Sequence, residues 1–308
     1  MTSSRPTVLV YRNVLLPTSE TFIKEQVKAT RRWRAVLVGR RPVHQLALDD
    51  VDVRLLMPHN GNIFGRISWK IGEWTATSQQ SAAGRLKVEG ASLIHAHFGM
   101  DAIDAWPIAQ ALGLPMLVTL HGFDIGIHRE FWEAGRGGRT LRNYPRNLLR
   151  LARNPRVHFI AVSDALRQCA IAFGIPQEKI RVSYTGIDTT RFVPAGAPVA
   201  AREPRALFVG RLVEKKGCEY LIKAFAHVQA RAPGASLVII GDGPLRSELQ
   251  ELASKEGVRA EFRGAQSHEN VLLELQKVRA LCLPSIRAKN GDVEGFGMVL
   301  LEAQASGV

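Results

Sequence analysis

Short apolar runs recur along the chain, separated by longer segments in which apolar and polar residues mix. Each run has the length of a buried strand rather than of a helix. The predicted strands are Thr7 to Tyr11, Arg34 to Val38, Val51 to Leu56, the LIHAH run ending at His97, Met116 to Leu120, His158 to Val162, the RALFV and SLVII runs, Arg259 to Phe262 and Ala280 to Leu283. Their alternation with helical segments predicts an α/β fold.

Start and stop residues mark the helices between these strands. Ala102 to Leu112 ends at Gly113 with Pro115 just beyond, as helices commonly end. Two other predicted helices follow caps, one after Thr18 or Ser19 and one after Ser163 or Asp164. Another begins at Pro145, and another runs from Lys216 to about Ala230. The last two follow the GDGP turn and run from Gly297 to about Ser306, respectively.

Length and composition indicate two domains. The chain has 308 residues, 46% of them hydrophobic, which is enough for more than one sizeable core. Residues 195–204, AGAPVAAREP, are rich in Ala, Pro and Gly. We therefore place a linker there and predict domains at 1–195 and 196–308.

Positive charge is concentrated in the first predicted domain. The net charge is +13, of which residues 1–195 contribute +11 (26 Lys and Arg against 15 Asp and Glu) and the rest only +2 (15 against 13). Arg136 to Arg156 holds seven arginines and no carboxylate. Arg146, Arg150 and Arg153 fall on one face of the predicted helix, which is either a solvated face or a docking surface for an anionic membrane. Neither an aromatic-interleaved basic stripe nor zinc-finger spacing occurs, so nucleic acid is not expected as a partner.

Cysteine usage and hydropathy indicate a cytoplasmic chain. Cys169, Cys218 and Cys282 are widely spaced without a C-x-x-C pair, so a reducing compartment is expected rather than a disulfide framework or a zinc site. The N-terminus has no long apolar core, and runs such as SLVIIG are too short to span a bilayer. We expect a cytoplasmic protein, with peripheral attachment to the inner face of the cell membrane as a further expectation.

The segment EGFGMVLLEAQASG carries the first candidate chemistry. Gly295 and Gly297 favour a tight loop, and the residues after Gly297 favour a helix whose N-terminus suits a phosphate. Glu294 and Glu302 accept hydrogen bonds but cannot neutralise a phosphate, so they should face groups rich in hydroxyl donors. Sugar and ribose fit that description.

The segment RALFVGRLVEKKG carries the second candidate chemistry. Gly210 and Arg211 follow a predicted strand, and Lys216 and Gly217 enter the next helix. A diphosphate needs close backbone approach and cations, and this turn supplies both. In the later GDGPLR segment, Arg246 stands where a dinucleotide-binding G-x-G-x-x-G requires glycine, which disfavours a dehydrogenase.

The segment MLVTLHGFD carries the third. Its strand delivers His121 and Asp124 to the carboxyl end of a parallel sheet, where ligands bind in open α/β folds. His95 and His97 lie on one side of the preceding strand. A third metal ligand of suitable spacing is not evident, so these two histidines are interpreted as cleft-lining or structural.

Together these segments resemble retaining glycosyltransferases of family 4, which have the GT-B fold. The resemblance rests on E-x7-E from Glu294 to Glu302, G-R-x4-K-G from Gly210 to Gly217, H-G-x-D from His121 to Asp124, and a strand followed by TGIDTTRF in which Thr185 replaces the usual Asn. The opening PTSETFIKEQ is similar to the branch associated with bacterial exopolysaccharide and capsule synthesis. The resemblance covers residues 6 to 308 and implies two Rossmann-like domains facing a cleft, an acceptor-side domain followed by a donor-binding domain.

The resemblance also implies roles for individual residues. His121 would contact the donor sugar near the reacting carbon, Glu294 the sugar hydroxyls and Glu302 the nucleotide ribose. Arg211 and Lys216 would clamp the diphosphate. The implied catalytic residues are His121, Glu294, Arg211 and Lys216, and the implied donor-binding residues are Gly210, Arg211, Lys216, Glu294, Gly295, Phe296, Gly297 and Glu302.

The implied reaction moves a hexosyl group from a UDP- or GDP-sugar to a glycan or lipid-linked acceptor in cell-surface polysaccharide synthesis. No D-x-D metal motif appears at a strand end, so neither a metal nor a cofactor is expected. Two alternatives stay open: a sugar-nucleotide epimerase or hydrolase of the same fold, and an inactive nucleotide-binding chain. The chain stops at Val308, where family members continue, so the second domain is expected to be truncated.

Overall fold

A computed structural model describes residues 5–17, 20–42, 46–56, 84, 86, 90–194, 196 and 198–308, with the side chains of residues 41 and 42 left aside. The predicted caps Thr18 and Ser19 lie outside the described residues. The chain forms two compact units, Met1–Tyr184 and Thr185–Val308.

The first unit is built on a parallel sheet in the order β5-β3-β1-β6-β7-β8-β9, beside a small β2-β4 pair. Its strands are β1 Thr7–Tyr11, β2 Val14–Leu15, β3 Arg34–Gly39, β4 Arg41–Pro42, β5 Val53–Leu55, β6 Ala91–His97, β7 Met116–Leu120, β8 Val157–Ala161 and β9 Ile180–Val182. Its helices are α1 Thr21–Ala29, α2 Gly99–Ala111, α3 Phe123–Gly126, α4 Arg129–Glu133, α5 Tyr144–Ala152 and α6 Asp164–Phe173. Every residue of β1 is buried, as expected for a strand covered on both faces.

The second unit has a parallel sheet in the order β12-β11-β10-β13. Its strands are β10 Arg205–Val209, β11 Ser236–Ile240, β12 Ala260–Gly264 and β13 Ala280–Leu281, and its helices are α7 Cys218–Arg231, α8 Arg246–Lys255, α9 His268–Leu275 and α10 Met298–Ala305. Leu237 and Ile239 of β11 face the core cluster that includes α7 and α8. Val238 and Ile240 face the opposite cluster, which includes α9 and α10. The two-residue period of the strand therefore covers both faces of the sheet with helices.

The predicted α/β architecture with parallel sheets is confirmed, and differences lie mainly at element ends. The strand predicted over Val51 to Leu56 is shorter, and the helix predicted from Ala102 begins at Gly99. Helix ends are the part of an element that local pattern defines least well. Ser163 caps α6 as predicted, accepting a hydrogen bond from the Leu166 N–H at 3.2 Å.

The segment predicted as the domain linker packs partly onto the second unit. Val199–Ala201 form a 3-10 turn, and the next residue, Arg202, is buried. Its guanidinium donates to the carbonyls of Leu275 and Val278 at 3.4 and 3.3 Å, near the end of α9. The compact units divide at 184/185, whereas the boundary at 195/196 stays a prediction from composition.

Candidate active site

In the first unit, a tight turn after β7 carries His121. Gly122 has φ of 124°, in the region that favours glycine. The buried carboxylate of Asp124 accepts hydrogen bonds from the backbone N–H groups of His121, Gly122 and Gly99 at 3.1, 2.9 and 3.0 Å. Burial nevertheless raises the pKa of Asp124 above its ordinary value. One side chain therefore ties the His121 turn to the start of α2.

Three histidine rings lie in contact beside this turn. Nδ1 of His97 lies 2.9 Å from Nε2 of His121, and their ring centroids are 5.2 Å apart. The ring of His95 is tilted by 30° against that of His97, with centroids 4.6 Å apart, and Nε2 of His95 lies 2.7 Å from Oγ1 of Thr119. Desolvation lowers the pKa of His95 to about 4 and that of His121 to about 3, and it holds the pKa of His97 well below its usual range. The rings are therefore neutral near pH 7.

An acidic network around Arg12 lies near the histidines, and sequence reasoning missed it. The guanidinium donates to both carboxylate oxygens of Glu20 at 2.8 and 2.6 Å and to Asp101 at 2.5 Å. It also lies 4.5 Å above the ring of Phe98, which packs against His121 at 4.6 Å. Burial raises the pKa of Asp101 to about 6 in spite of Arg12. An arginine directly after a buried strand was the only available signal.

In the second unit, the turn after β10 carries the predicted cations. Gly210 follows the strand, and the aliphatic chain of Lys216 lies against it. Arg211 is exposed, and its side chain has no partner among the described residues. Gly217 has φ of 64°, and a Cβ atom at this position would lie 1.9 Å from the carbonyl oxygen of Pro284. Only glycine allows this approach of the turn to the later loop.

Three side-chain contacts join this turn to the loop before α10. The Glu214 carboxylate accepts from the Lys289 N–H at 3.1 Å, and the Lys215 ammonium donates to Asp292 at 3.0 Å. Lys216 forms an ion pair with Glu294. Two segments that the sequence offered as separate sites are therefore in direct contact.

The remaining predicted residues lie just before helix α10 and within it. Gly297 precedes its first residue with φ of 74°, in the left-handed region. Glu302 is buried, with 9% of its surface exposed, and its Oε1 lies 3.0 Å from Nε2 of His268. His268 in turn packs against Phe192 at 5.2 Å between ring centroids. Nothing in the sequence pattern indicated that His268 supports Glu302.

The structure thus brings together Gly210, Lys216 and Glu294 within the second unit, with Gly295, Phe296 and Gly297 leading from Glu294 into α10. Glu302 lies farther along the same helix, and Arg211 extends from the same turn as Lys216. His121 belongs to the first unit, with His97 and Asp124 as its neighbours.

Within the described ranges, no group of three or more His, Cys, Asp or Glu side chains is arranged to hold a metal ion. Asp50 and Asp52, which flank Val51 ahead of β5, are engaged with cations instead. Asp50 pairs with Lys24 and Lys28 at 2.7 and 2.9 Å, and Asp52 pairs with Arg34 at 2.6 Å. No helix in the described part of the chain is long and apolar enough to cross a membrane.

Two family profiles match the chain. The profile described as Glycosyltransferase Family 4 matches residues 28–191, and that described as Glycosyl transferases group 1 matches residues 194–308. The chain is similar to glycogen synthase of Mycobacterium tuberculosis strain H37Rv, with 32% identity over 222 residues, 70% of this chain and 50% of that protein. It is also similar to the putative colanic acid biosynthesis glycosyltransferase WcaL of Escherichia coli K12, with 29% identity over 71% of this chain and 52% of WcaL. The matched part spans about half the length of these curated relatives.

Solved structures share the fold. Anabaena HepE, crystallised with UDP and glucose, superimposes with a TM-score of 0.71 at 20% identity, over 98% of this chain and 79% of HepE. The sucrose-phosphate synthase of Thermosynechococcus elongatus superimposes with a TM-score of 0.70 at 18% identity, over 99% of this chain and 80% of that enzyme. The predicted GT-B type of fold, with two Rossmann-like domains, is confirmed.

Proposed function

Because the chain belongs to glycosyltransferase family 4, we propose that it transfers a hexosyl group from a UDP- or GDP-sugar to a hydroxyl of a glycan or lipid-linked acceptor, with retention of anomeric configuration. HepE binds UDP and glucose, and WcaL is named for colanic acid synthesis, which supports a nucleotide-sugar donor and a cell-surface polysaccharide product. The transfer forms a bond from the acceptor oxygen to the anomeric carbon and breaks the bond from that carbon to the diphosphate.

The observation that carries the proposal is the contact of the cationic turn with the Glu294 loop. Lys216 and Glu294 form an ion pair, so a group bound by one meets the other. Arg211 and Lys216 would neutralise the diphosphate, and the backbone from Gly295 through Phe296 to Gly297, at the start of α10, would donate to it. Glu294 would accept from sugar hydroxyls, as its charge is unsuited to phosphate.

The remaining roles follow from the family. Glu302 would bind the ribose and His121 the donor sugar. Charge that develops on the leaving diphosphate would be stabilised by Arg211, Lys216 and the N-terminus of α10, which supplies the electrostatic catalysis without a metal or cofactor. The leaving phosphate would take the proton of the acceptor hydroxyl, so no side-chain nucleophile is required.

We further propose that the protein acts in the cytoplasm, at the inner face of the cell membrane. Arg146 and Arg150 are exposed on α5 and Arg153 is exposed directly after it, whereas Leu148 and Leu151 of α5 are buried. Elsewhere on the first unit, cationic side chains pair with carboxylates. Within the described part of the chain, these three arginines form no ion pair. An unpaired arginine face suits an anionic lipid surface and would bring the enzyme to a lipid-linked acceptor.

The test is incubation with a panel of UDP- and GDP-sugars, scored for nucleotide release with and without lipid-linked and glycan acceptors. A transferase releases nucleotide in proportion to an acceptor, a hydrolase releases it without one, and an epimerase releases none but converts the sugar. Arg211→Ala and Lys216→Ala should weaken UDP or GDP binding while leaving the weak binding of uridine or guanosine unchanged. Equal losses for nucleoside and nucleotide would contradict the diphosphate clamp. Lys223→Ala, an exposed cation on α7, is the control.

A further inference from the structure

The ring of His121 is held by a second histidine. His97 is fully buried at the end of β6, and its Nδ1 lies 2.9 Å from Nε2 of His121. The two ring planes are within 18° of parallel and the centroids are 5.2 Å apart, so the rings meet edge to edge, as a ring hydrogen bond requires. The backbone of His121 is fixed separately, by its N–H to Asp124.

Only one of the two facing nitrogens can carry the hydrogen. Desolvation lowers the pKa of both histidines far enough to keep both rings neutral at pH 7. A neutral imidazole has one N–H and one lone pair. Either His97 donates from Nδ1 to His121, or His121 donates from Nε2 to His97.

The surroundings of His97 distinguish these two states. Its Nε2 is buried and has no hydrogen-bond partner within the described residues. If His97 accepted at Nδ1, its own hydrogen would sit on Nε2 as a buried donor without an acceptor, which is rarer in proteins than an unfilled lone pair. If His97 donates from Nδ1, its Nε2 keeps only an unfilled lone pair. The second nitrogen of each ring is fixed by the first, so His121 then carries its hydrogen on Nδ1.

We propose that His97 is a positioning residue that donates Nδ1–H to His121 and fixes His121 as the Nδ1–H tautomer, which makes His121 a hydrogen-bond donor toward the donor sugar. The contact with sugar rests on the proposed function, whereas the tautomer does not. Nδ1 of His121 has no partner among the described residues, and the residue is only half-buried, so this nitrogen is available to a ligand. A donor set in advance needs no reorganisation when charge develops in the transition state.

The tautomer is tested on the unmutated 308-residue chain by nitrogen-15 NMR of labelled histidine rings, with His121→Gln used to assign the His121 signals among the nine histidines. We expect the protonated nitrogen of His121 at pH 7.5 to be Nδ1 and that of His97 to be Nδ1 as well. Protonation of His121 at Nε2 would overturn the proposal.

The catalytic consequence is tested by turnover of UDP-glucose and GDP-mannose. His97→Leu should lower kcat by about 10- to 100-fold, by analogy with the loss of a group that orients a metal-ligating histidine, with a smaller change in KM. His97→Asn, whose amide can donate from nearly the same place, should recover most of it. His95→Leu is the matched control, because it removes a buried histidine of the same strand that bonds Thr119 rather than His121.

The outcomes separate the two proposals. Equal losses in His97→Leu and His95→Leu, without recovery in His97→Asn, would assign His97 a purely structural role. If His121→Ala leaves turnover unchanged, the sugar-binding role of His121 fails, while the NMR result still decides the tautomer.

Discussion

Lys216 and Glu294 neutralise each other across two segments that lie far apart in the sequence. Their side chains are 16% and 23% exposed, so the pair is partly shielded from water. Both groups are proposed to bind the same sugar nucleotide, one through its diphosphate and the other through its sugar. A bound sugar nucleotide can replace both partners at once, whereas a bare nucleotide replaces only the partner of Lys216.

We therefore expect Glu294→Gln to bind UDP or GDP more tightly than the wild type, because the substitution removes the carboxylate that competes for Lys216. For a partly exposed pair the gain should be about 1 kcal/mol, or roughly fivefold. Calorimetry with each nucleotide measures it. Asp292→Asn, which breaks the neighbouring pair with Lys215, is the control and should change affinity little. Weaker or unchanged binding by Glu294→Gln would remove Lys216 from the diphosphate site.

Glu302→Ala should weaken UDP or GDP binding by about 1.5–3 kcal/mol, the range for a charge-assisted hydrogen bond to ribose. The same calorimetric titration with the 2′-deoxy and 3′-deoxy nucleotides completes a double-mutant cycle. If the removed hydroxyl is the partner of Glu302, its loss should cost the variant much less than the wild type. His268→Gln removes the imidazole but keeps the carboxylate of Glu302, so it should lower nucleotide affinity less than Glu302→Ala does. Additive losses throughout the cycle would return Glu302 to a structural role.

The stability of the first unit should fall as the pH drops from 7 to 5. The pKa values of His95, His97 and His121 are lowered on folding, so below about 6.5 the unfolded chain binds protons that the native rings do not. Each such histidine contributes up to about 1.4 kcal/mol per pH unit. The raised pKa values of Asp101, about 6, and of Asp124 act in the opposite direction. Asp101 offsets part of the loss below pH 6, and we expect the three histidines to outweigh the two carboxylates.

The measurement is urea unfolding at pH 7 and 5, followed by tryptophan fluorescence, since all five tryptophans lie before residue 184 and report on the first unit alone. His97→Asn should reduce the difference between the two pH values. His158→Asn, at an exposed position on β8, should not. A first unit that is more stable at pH 5 would show that the carboxylates dominate.

Changing Arg146, Arg150 and Arg153 together to Gln should abolish binding to anionic vesicles at low salt. Each cation near such a surface contributes about 1 kcal/mol, and salt screens the attraction. Sedimentation with vesicles that contain phosphatidylglycerol, at low and high salt, provides the measurement. The matched control replaces three exposed cations of the second unit, Lys223, Arg231 and Lys255, with Gln. Equal losses in both triple variants would indicate a general charge effect and not a docking face.

The sequence by itself determined the elements and the residue types of the site. Apolar runs with the length of a buried strand predicted most strands, because a strand covered on both faces must be apolar throughout. Gly297 was evident in the same way, since a tight loop with a left-handed backbone favours glycine. These are local requirements, and a local pattern records them.

Only the tertiary structure decided which of these residues meet. The contacts of Lys216 with Glu294, of His97 with His121 and of Arg12 with Asp101 each join segments brought together by the order of strands in a sheet. Strand order is set by packing of the whole sheet, and a run such as LIHAH is compatible with more than one neighbour. The sequence therefore indicated that His97 lies on a strand, but only the pairing of β6 with β7 placed its ring against His121.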